Sequence, residues 1–294
     1  MKWTEKAERG NESLIRLIVW LARSMGRSFC RILLYPIVLY FTLADPTARR
    51  ASIDFIQSVK GRRARLNEAF NHLYHFAATL LDRVYMASND FKHFEVTIEN
   101  RYLLDQGLSQ GRGCVLLGSH LGSFDLMLLA TRFSDPFPLS IMMRVDPRAR
   151  VRRIAGIDDS QLRIIPLGEV GSFLRAYDLL RQGETVAILA DRIEGHSALP
   201  AQFFGRTIRL PTAPYVLAAR SGAQLLACFG IYEGANRYRI KFVATGICLE
   251  PQSRGLELQA AVDRYAFILE EQAKLYPRNW FNFYPYWDEQ KVSV

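Results

Sequence analysis

The feature that most constrains this chain is a series of short apolar runs set between helical stretches. CVLLG at 114–118 and TVAILA at 185–190 are too short for an ordinary helix and too apolar to leave one face in water. Runs of this kind read as strands buried on both faces, the pattern of parallel sheets. Further strands are expected at 94–98, 139–143, 163–166, 225–231 and 238–245. Helices are expected at 65–87, 102–108, 124–131, 146–155, 172–181, 214–220 and 256–275. Parallel strands need crossover helices, so the alternation predicts an α/β fold: a mixed, largely parallel sheet flanked by helices. Gly234-Ala235-Asn236 predicts one antiparallel pair near an edge. The expected organisation is a helical arm over 1–65 and one α/β domain over 66–294.

Charge concentrates in the arm. The whole chain carries 38 Lys/Arg and 29 Asp/Glu, a net +9. Residues 1–65 hold 13 Lys/Arg against 5 Asp/Glu, a net +8, which leaves the other 229 residues near neutral. Nucleic-acid binders usually spread positive charge over a folded face with interleaved aromatics, so nucleic acid is not expected as a partner. Between Glu12 and Arg31 the charges fall at Glu12, Arg16, Arg23, Arg27 and Arg31, on one stripe of an otherwise apolar helix. Residues 32–44 then carry no charge and include Pro36. That run alone is shorter than the roughly 20 residues that span a bilayer, and no small-residue cleavage site follows it. The arm is therefore expected to lie in a membrane interface, with its arginine stripe toward anionic headgroups. A soluble helix capping the core and a short tilted span are the alternatives. Four widely spaced cysteines, with no CxxC pair, exclude a disulfide scaffold and a cysteine zinc site.

In sheets of this kind sites form beyond the carboxyl ends of strands. The most polar exit is Gly118-Ser119-His120-Leu121-Gly122-Ser123-Phe124-Asp125. Ser123 is a candidate helix cap, which places Asp125 in the first helical turn. On a continuous helix five residues is about 140° of rotation, so His120 and Asp125 would face apart. A turn at Gly122 lets the chain fold back and bring carboxylate to imidazole, leaving the other ring nitrogen as a general base. The alternative is an Asp placed to suit the helix dipole, beside an unrelated His. The glycine spacing of a nucleophile elbow is present, but its central residue is His120 rather than Ser. No P-loop, HExxH or Rossmann glycine triplet occurs. His72 and His75 lie three apart on a helix without an evident third ligand, and are read as structural.

SHLGSFD resembles the His-x4-Asp motif of the lysophospholipid acyltransferase superfamily. Ala190-Asp191-Arg192, Gln202-Phe203-Phe204-Gly205-Arg206 and Leu210-Pro211-Thr212-Ala213-Pro214 resemble the second block of its lipid A late acyltransferase branch. Arg144 matches an arginine of that branch, and 279–287 (NWFNFYPYW) is similar to its aromatic end. The first-motif acid is commonly Glu in that branch and is Asp125 here. The Glu-Gly-Thr-Arg block of glycerolipid acyltransferases is absent, which argues against a glycerol-phosphate acceptor. The compact length and Trp3…Glu8-Arg9-Gly10 look most like small acyltransferases of pathways that build specialised lipids, including aryl polyene pigments.

The resemblance implies direct transfer from an acyl thioester of acyl carrier protein or CoA to a hydroxyl or amine of a lipid acceptor. It implies the cytoplasmic face of a bacterial inner membrane, peripheral or monotopic, and no metal or other cofactor. His120 would be the base and Asp125 its support. Arg144, Asp191, Arg192, Phe204, Gly205, Arg206, Arg209 and Pro211 are candidate substrate contacts; alternatively, Asp191 and Arg192 pair with each other. Arg148, Arg150, Arg152 and Arg153, with Arg144, are a candidate dock for an acidic carrier protein or an acceptor phosphate, or else a solvated helix face. The aromatic stripe at 280–287 is either a wall for the acyl chain or membrane interface, or ordinary core. Two other functions remain open: a non-catalytic lipid- or carrier-binding module, and a thioesterase-type hydrolase.

Overall fold

The computed structural model describes residues 12–87, 93–123, 137–144, 163–193 and 197–289. Three helices lead: α1 (Glu12–Ala44), α2 (Pro46–Lys60) and α3 (Leu66–Ala87). They are followed by β1 (Glu95–Glu99), α4 (Tyr102–Ser109), β2 (Cys114–Gly118), β3 (Leu139–Met143) and β4 (Arg163–Pro166). Next come α5 (Ser172–Arg181), β5 (Thr185–Leu189), β6 (Ala198–Phe203), β7 (Arg206–Pro211) and α6 (Ala213–Ser221). The described residues close with β8 (Gln224–Gly234), β9 (Arg237–Ala244), α7 (Leu256–Leu275), a 3-10 turn (Pro277–Asn279) and α8 (Tyr286–Glu289).

Seven strands form one sheet in the order β1-β9-β8-β2-β5-β3-β4. Only β8 and β9 pair antiparallel; every other pairing is parallel. This is the expected α/β architecture. Side chains alternate across β2. Val115 and Leu117 join a core with α5, α6, α7 and the aromatic C-terminal segment, whereas Cys114 and Leu116 face α1, α3 and α4. Burial on both faces explains why the strand sequence contains no polar alternation.

A second, two-stranded sheet was not anticipated. β6 and β7 form an antiparallel hairpin around Phe204 and Gly205, both at positive φ. Two positive-φ residues in a two-residue loop match the right-handed strand twist of a hairpin. The hairpin lies over α7.

The expected orientation of the arginine stripe needs correction at Arg27 and Arg31. α1 is broken at Gly26 and packs along α3. Arg27 makes two bonds to the Asp82 carboxylate, at 2.8 and 3.0 Å, and Arg31 one at 2.7 Å. Tyr238 donates to the same carboxylate at 2.6 Å. Asp82 is fully buried, and a buried carboxylate needs such partners, so these arginines turn inward. The outward face instead carries Ile32, Tyr35, Leu39, Tyr40 and Leu43, all more than half exposed. The segment Ser24–Ala44 is long and apolar enough to cross a membrane by length and composition. The boundary expected at residue 65 falls in the loop between α2 and α3, yet Phe55 and Ile56 before it are core residues.

Candidate active site

His120 sits two residues past the end of β2, and Asp191 two past the end of β5. The strands are parallel neighbours with Gly118 opposite Leu189, so both residues leave the sheet side by side. The His120 backbone N–H donates to Asp191 Oδ2 at 3.0 Å. Its Nδ1 lies 3.0 and 3.1 Å from the two carboxylate oxygens. The carboxylate only accepts, so Nδ1 carries the proton and the Nε2 lone pair is left for chemistry. Asp191 is fully buried, while the imidazole keeps 26% of its exposure.

The loop after β2 is held on two sides. Gly122 donates to Asn279 O at 2.6 Å, Phe281 donates to His120 O at 2.7 Å, and Leu121 bridges Trp280. Ser123 donates to Gly230 O at 2.8 Å. Gly122 has φ +85°, and a Cβ there would lie 2.0 Å from Gly230 O. No residue larger than glycine fits without moving β8.

Asp191 is further supported by Asn282, whose amide donates to Oδ2 at 3.2 Å. The Asn282 carbonyl accepts from Arg192 Nε at 2.8 Å and from its Nη2. Tyr286 donates to Asp191 O, and Tyr265 to Gly118 O, both at 2.8 Å. Burial acts to raise the Asp191 pKa, but the His120 charge and bonds and the Arg192 charge outweigh it and hold it at about 2. His120 is lowered from its usual value, first by burial and next by the Arg192 charge; Asp191 opposes the shift and Arg83 adds to it. The resting pair is a neutral imidazole on a carboxylate.

Of the expected site residues, His120, Asp191 and Arg192 come together. The suggested pairing of Asp191 with Arg192 is replaced by the bridge through Asn282. Arg144 is exposed at the carboxyl end of β3, on the same edge of the sheet as His120. Phe204, Gly205, Arg206, Arg209 and Pro211 belong to the hairpin and its exit. Arg206 pairs with Asp54 of α2 at 2.8 Å and lies over the Trp287 ring. Arg209 donates to Ala198 O at 2.9 Å. Phe204 packs edge-on against Phe55 and Phe203. Asp125, Arg148, Arg150, Arg152 and Arg153 lie outside the described residues.

The aromatic segment belongs to the core: Trp280, Tyr286 and Trp287 are buried, and Trp280 stacks on Phe55. His72 uses both ring nitrogens, on Ser52 Oγ at 2.9 Å and Trp280 O at 2.6 Å, as a structural residue does. Three site residues were missed in the sequence. Arg83 of α3 reaches Ser123 Oγ at 3.5 Å, and Asn282 and Tyr265 support the loop and the carboxylate. The signal for Arg83 was a charge inside an apolar helical run, and Asn282 stood in the 279–287 stretch that resembles the branch's aromatic end; for Tyr265 there was none.

A family model described as "Bacterial lipid A biosynthesis acyltransferase" matches residues 21–289. The chain is 27% identical over 189 residues to a protein named "Phosphatidylinositol mannoside acyltransferase" from Mycobacterium tuberculosis, covering 63% of this chain and 57% of that one. It is 28% identical over 202 residues to a protein of the same name from Mycolicibacterium smegmatis, covering 64% of this chain and 62% of that one. The matched region thus spans about three-fifths of the length of these relatives.

Proposed function

The chain belongs to the bacterial lipid A biosynthesis acyltransferase family, and we propose that it transfers a fatty or polyene acyl group from a thioester to a hydroxyl or amine of a lipid acceptor at the cytoplasmic face of the inner membrane. The observation that carries the proposal is the His120 imidazole, anchored through Nδ1 to a buried carboxylate with its other edge open. Nε2 takes the proton as the acceptor oxygen or nitrogen attacks the thioester carbonyl. A C–O or C–N bond forms, the tetrahedral intermediate collapses, and the C–S bond breaks. The Nε2 proton passes to the leaving sulfur, so His120 ends neutral and no acyl-enzyme forms. Asp191 stabilises the transient imidazolium and fixes the tautomer. Asp125 keeps the supporting part that the His-x4-Asp motif gives it.

The proposed donor is acyl carrier protein, whose acidic surface suits Arg144 and the basic run after it. Lipid acceptors in the names of the family and of the relatives support a lipid acceptor here. No cofactor enters the scheme.

The test is in vitro transfer with purified full-length chain, acyl carrier protein thioester and extracted membrane lipid, followed by intact-mass analysis. Transfer should appear as one acyl mass added to a lipid and should vanish in His120→Ala. Full transfer by that variant, or release of free acid alone, would overturn the proposal.

A further inference from the structure

We propose that Asn282 is a positioning residue: its amide keeps the Arg192 guanidinium off the Asp191 carboxylate and so reserves that carboxylate for His120. This rests on His120–Asp191 being the working pair. The geometry dictates the role. Asp191 only accepts hydrogen bonds and Arg192 only donates them, so a side chain between them must offer a donor to one and an acceptor to the other. Asn282 offers both. Its Nδ2 gives a hydrogen to Asp191 Oδ2 at 3.2 Å, and its Oδ1 takes Arg192 Nε at 2.8 Å together with Nη2. A buried carboxylate and a guanidinium consecutive in the chain would otherwise be drawn together.

The amide itself has little freedom. Asn282 is buried, and the preceding residue is pinned by the Phe281 N–H on His120 O at 2.7 Å. The Arg192 guanidinium is also stacked 5.0 Å from the Tyr284 ring centre. The C-terminal segment therefore does two things at one place: it clamps the His120 backbone and sets which partner Asp191 serves.

Removing the amide has a directional consequence. Arg192 moves onto Asp191, the carboxylate is neutralised, and His120 loses the anion that favours its protonation. The charged groups facing His120 among the described residues are Asp191, Arg192 and Arg83. Asn282→Ala should therefore lower the His120 titration midpoint, by about one pH unit for a partly lost neighbouring charge. Arg192→Leu should raise it, and should raise it more in the Asn282→Ala background than alone, because there Arg192 occupies the carboxylate directly.

The measurement is carbethoxylation of His120 by diethylpyrocarbonate against pH, read on its peptide by mass spectrometry, in detergent-solubilised full-length chain. Only the neutral imidazole reacts, so the rate reports the midpoint without any transfer assay. A lower midpoint in Asn282→Ala with a non-additive Arg192→Leu effect supports the inference. An unmoved or raised midpoint, or equal Arg192→Leu shifts in both backgrounds, overturns it. If Asn282→Ala does not fold, Asn282→Ser, too short to reach both groups, takes its place in the same cycle. Acyl transfer measured in parallel on His120→Ala separates the two claims. Retained transfer sinks the catalytic assignment alone, and an additive cycle sinks the positioning role alone.

Discussion

At the residue scale the site is a pair of side chains from two adjacent strand ends. His120 was legible because a polar residue between two glycines at the exit of an apolar strand has few structural reasons to be there. Its contact with Asp191 was not, because 71 residues separate them and only the strand order puts β2 beside β5. Local spacing pointed to Asp125, which lies outside the described residues. The geometry gives Asp191 a charge role that an amide cannot fill. Asp191→Asn should lower the transfer rate by about 100- to 10,000-fold, within the range of general-base catalysis. It should also shift the acid limb of kcat/KM. The lowered His120 pKa puts the wild-type midpoint below the ~6.5 of free imidazole. Loss of the carboxylate favours the neutral ring further, so the variant midpoint should lie lower still. A variant limb at or above the wild-type one would deny Asp191 this role.

At the element scale, α3 joins three regions. His72 bonds Trp280 O in the segment that holds the loop after β2, Asp82 binds the arm, and Arg83 reaches Ser123 of that loop. The alternation of strands and helices was legible because parallel strands and their crossovers are punctuated by Gly and Pro. The β6–β7 hairpin was not, since Pro200 within β6 reads against a strand and is tolerated only because the hairpin is two-stranded and has free edges. Burial holds the His72 pKa at about 3. The unfolded imidazole binds its proton near ~6.5. Between those values the unfolded state holds more protons, so stability falls as pH falls. At pH 5 this site alone should cost about 2 kcal/mol relative to pH 7. In His72→Gln, urea unfolding should show a smaller loss between those two pH values. Asp82 is a sharper case. Asp82→Asn leaves two guanidinium groups facing a neutral amide and should destabilise the chain by about 3–5 kcal/mol, seen as a lower Tm in detergent. Deleting 1–45 strands the same carboxylate without its arginines, so it should lower the Tm as well as alter membrane binding.

For the whole molecule, Arg27 and Arg31 of the stripe and the apolar surface beside them have exchanged their expected places. Sequence periodicity found the stripe of arginines, but one helix alone does not say which side faces the body. Asp82 decides it, and Asp82 lies on a different helix. With Arg27 and Arg31 consumed internally, the outward face of α1 offers Ile32 at 66% exposure with Tyr35, Leu39, Tyr40 and Leu43 around it. Continuous apolar surface on one side of a helix is the signature of a segment immersed in the headgroup–acyl boundary. The proposed association should therefore depend on apolar burial more than on charge. Screening by 1 M salt shortens the Debye length to about 3 Å and removes most headgroup attraction. Binding to phosphatidylglycerol-containing vesicles should largely survive it. Ile32→Glu and Leu39→Glu should each weaken binding by about tenfold, the loss of one buried aliphatic side chain. Their Tm should stay at the wild-type value, because neither side chain is part of the core. Co-sedimentation across a vesicle titration measures this. Full release by salt with no effect of either glutamate would return the arm to an electrostatic anchor and place its functional surface elsewhere.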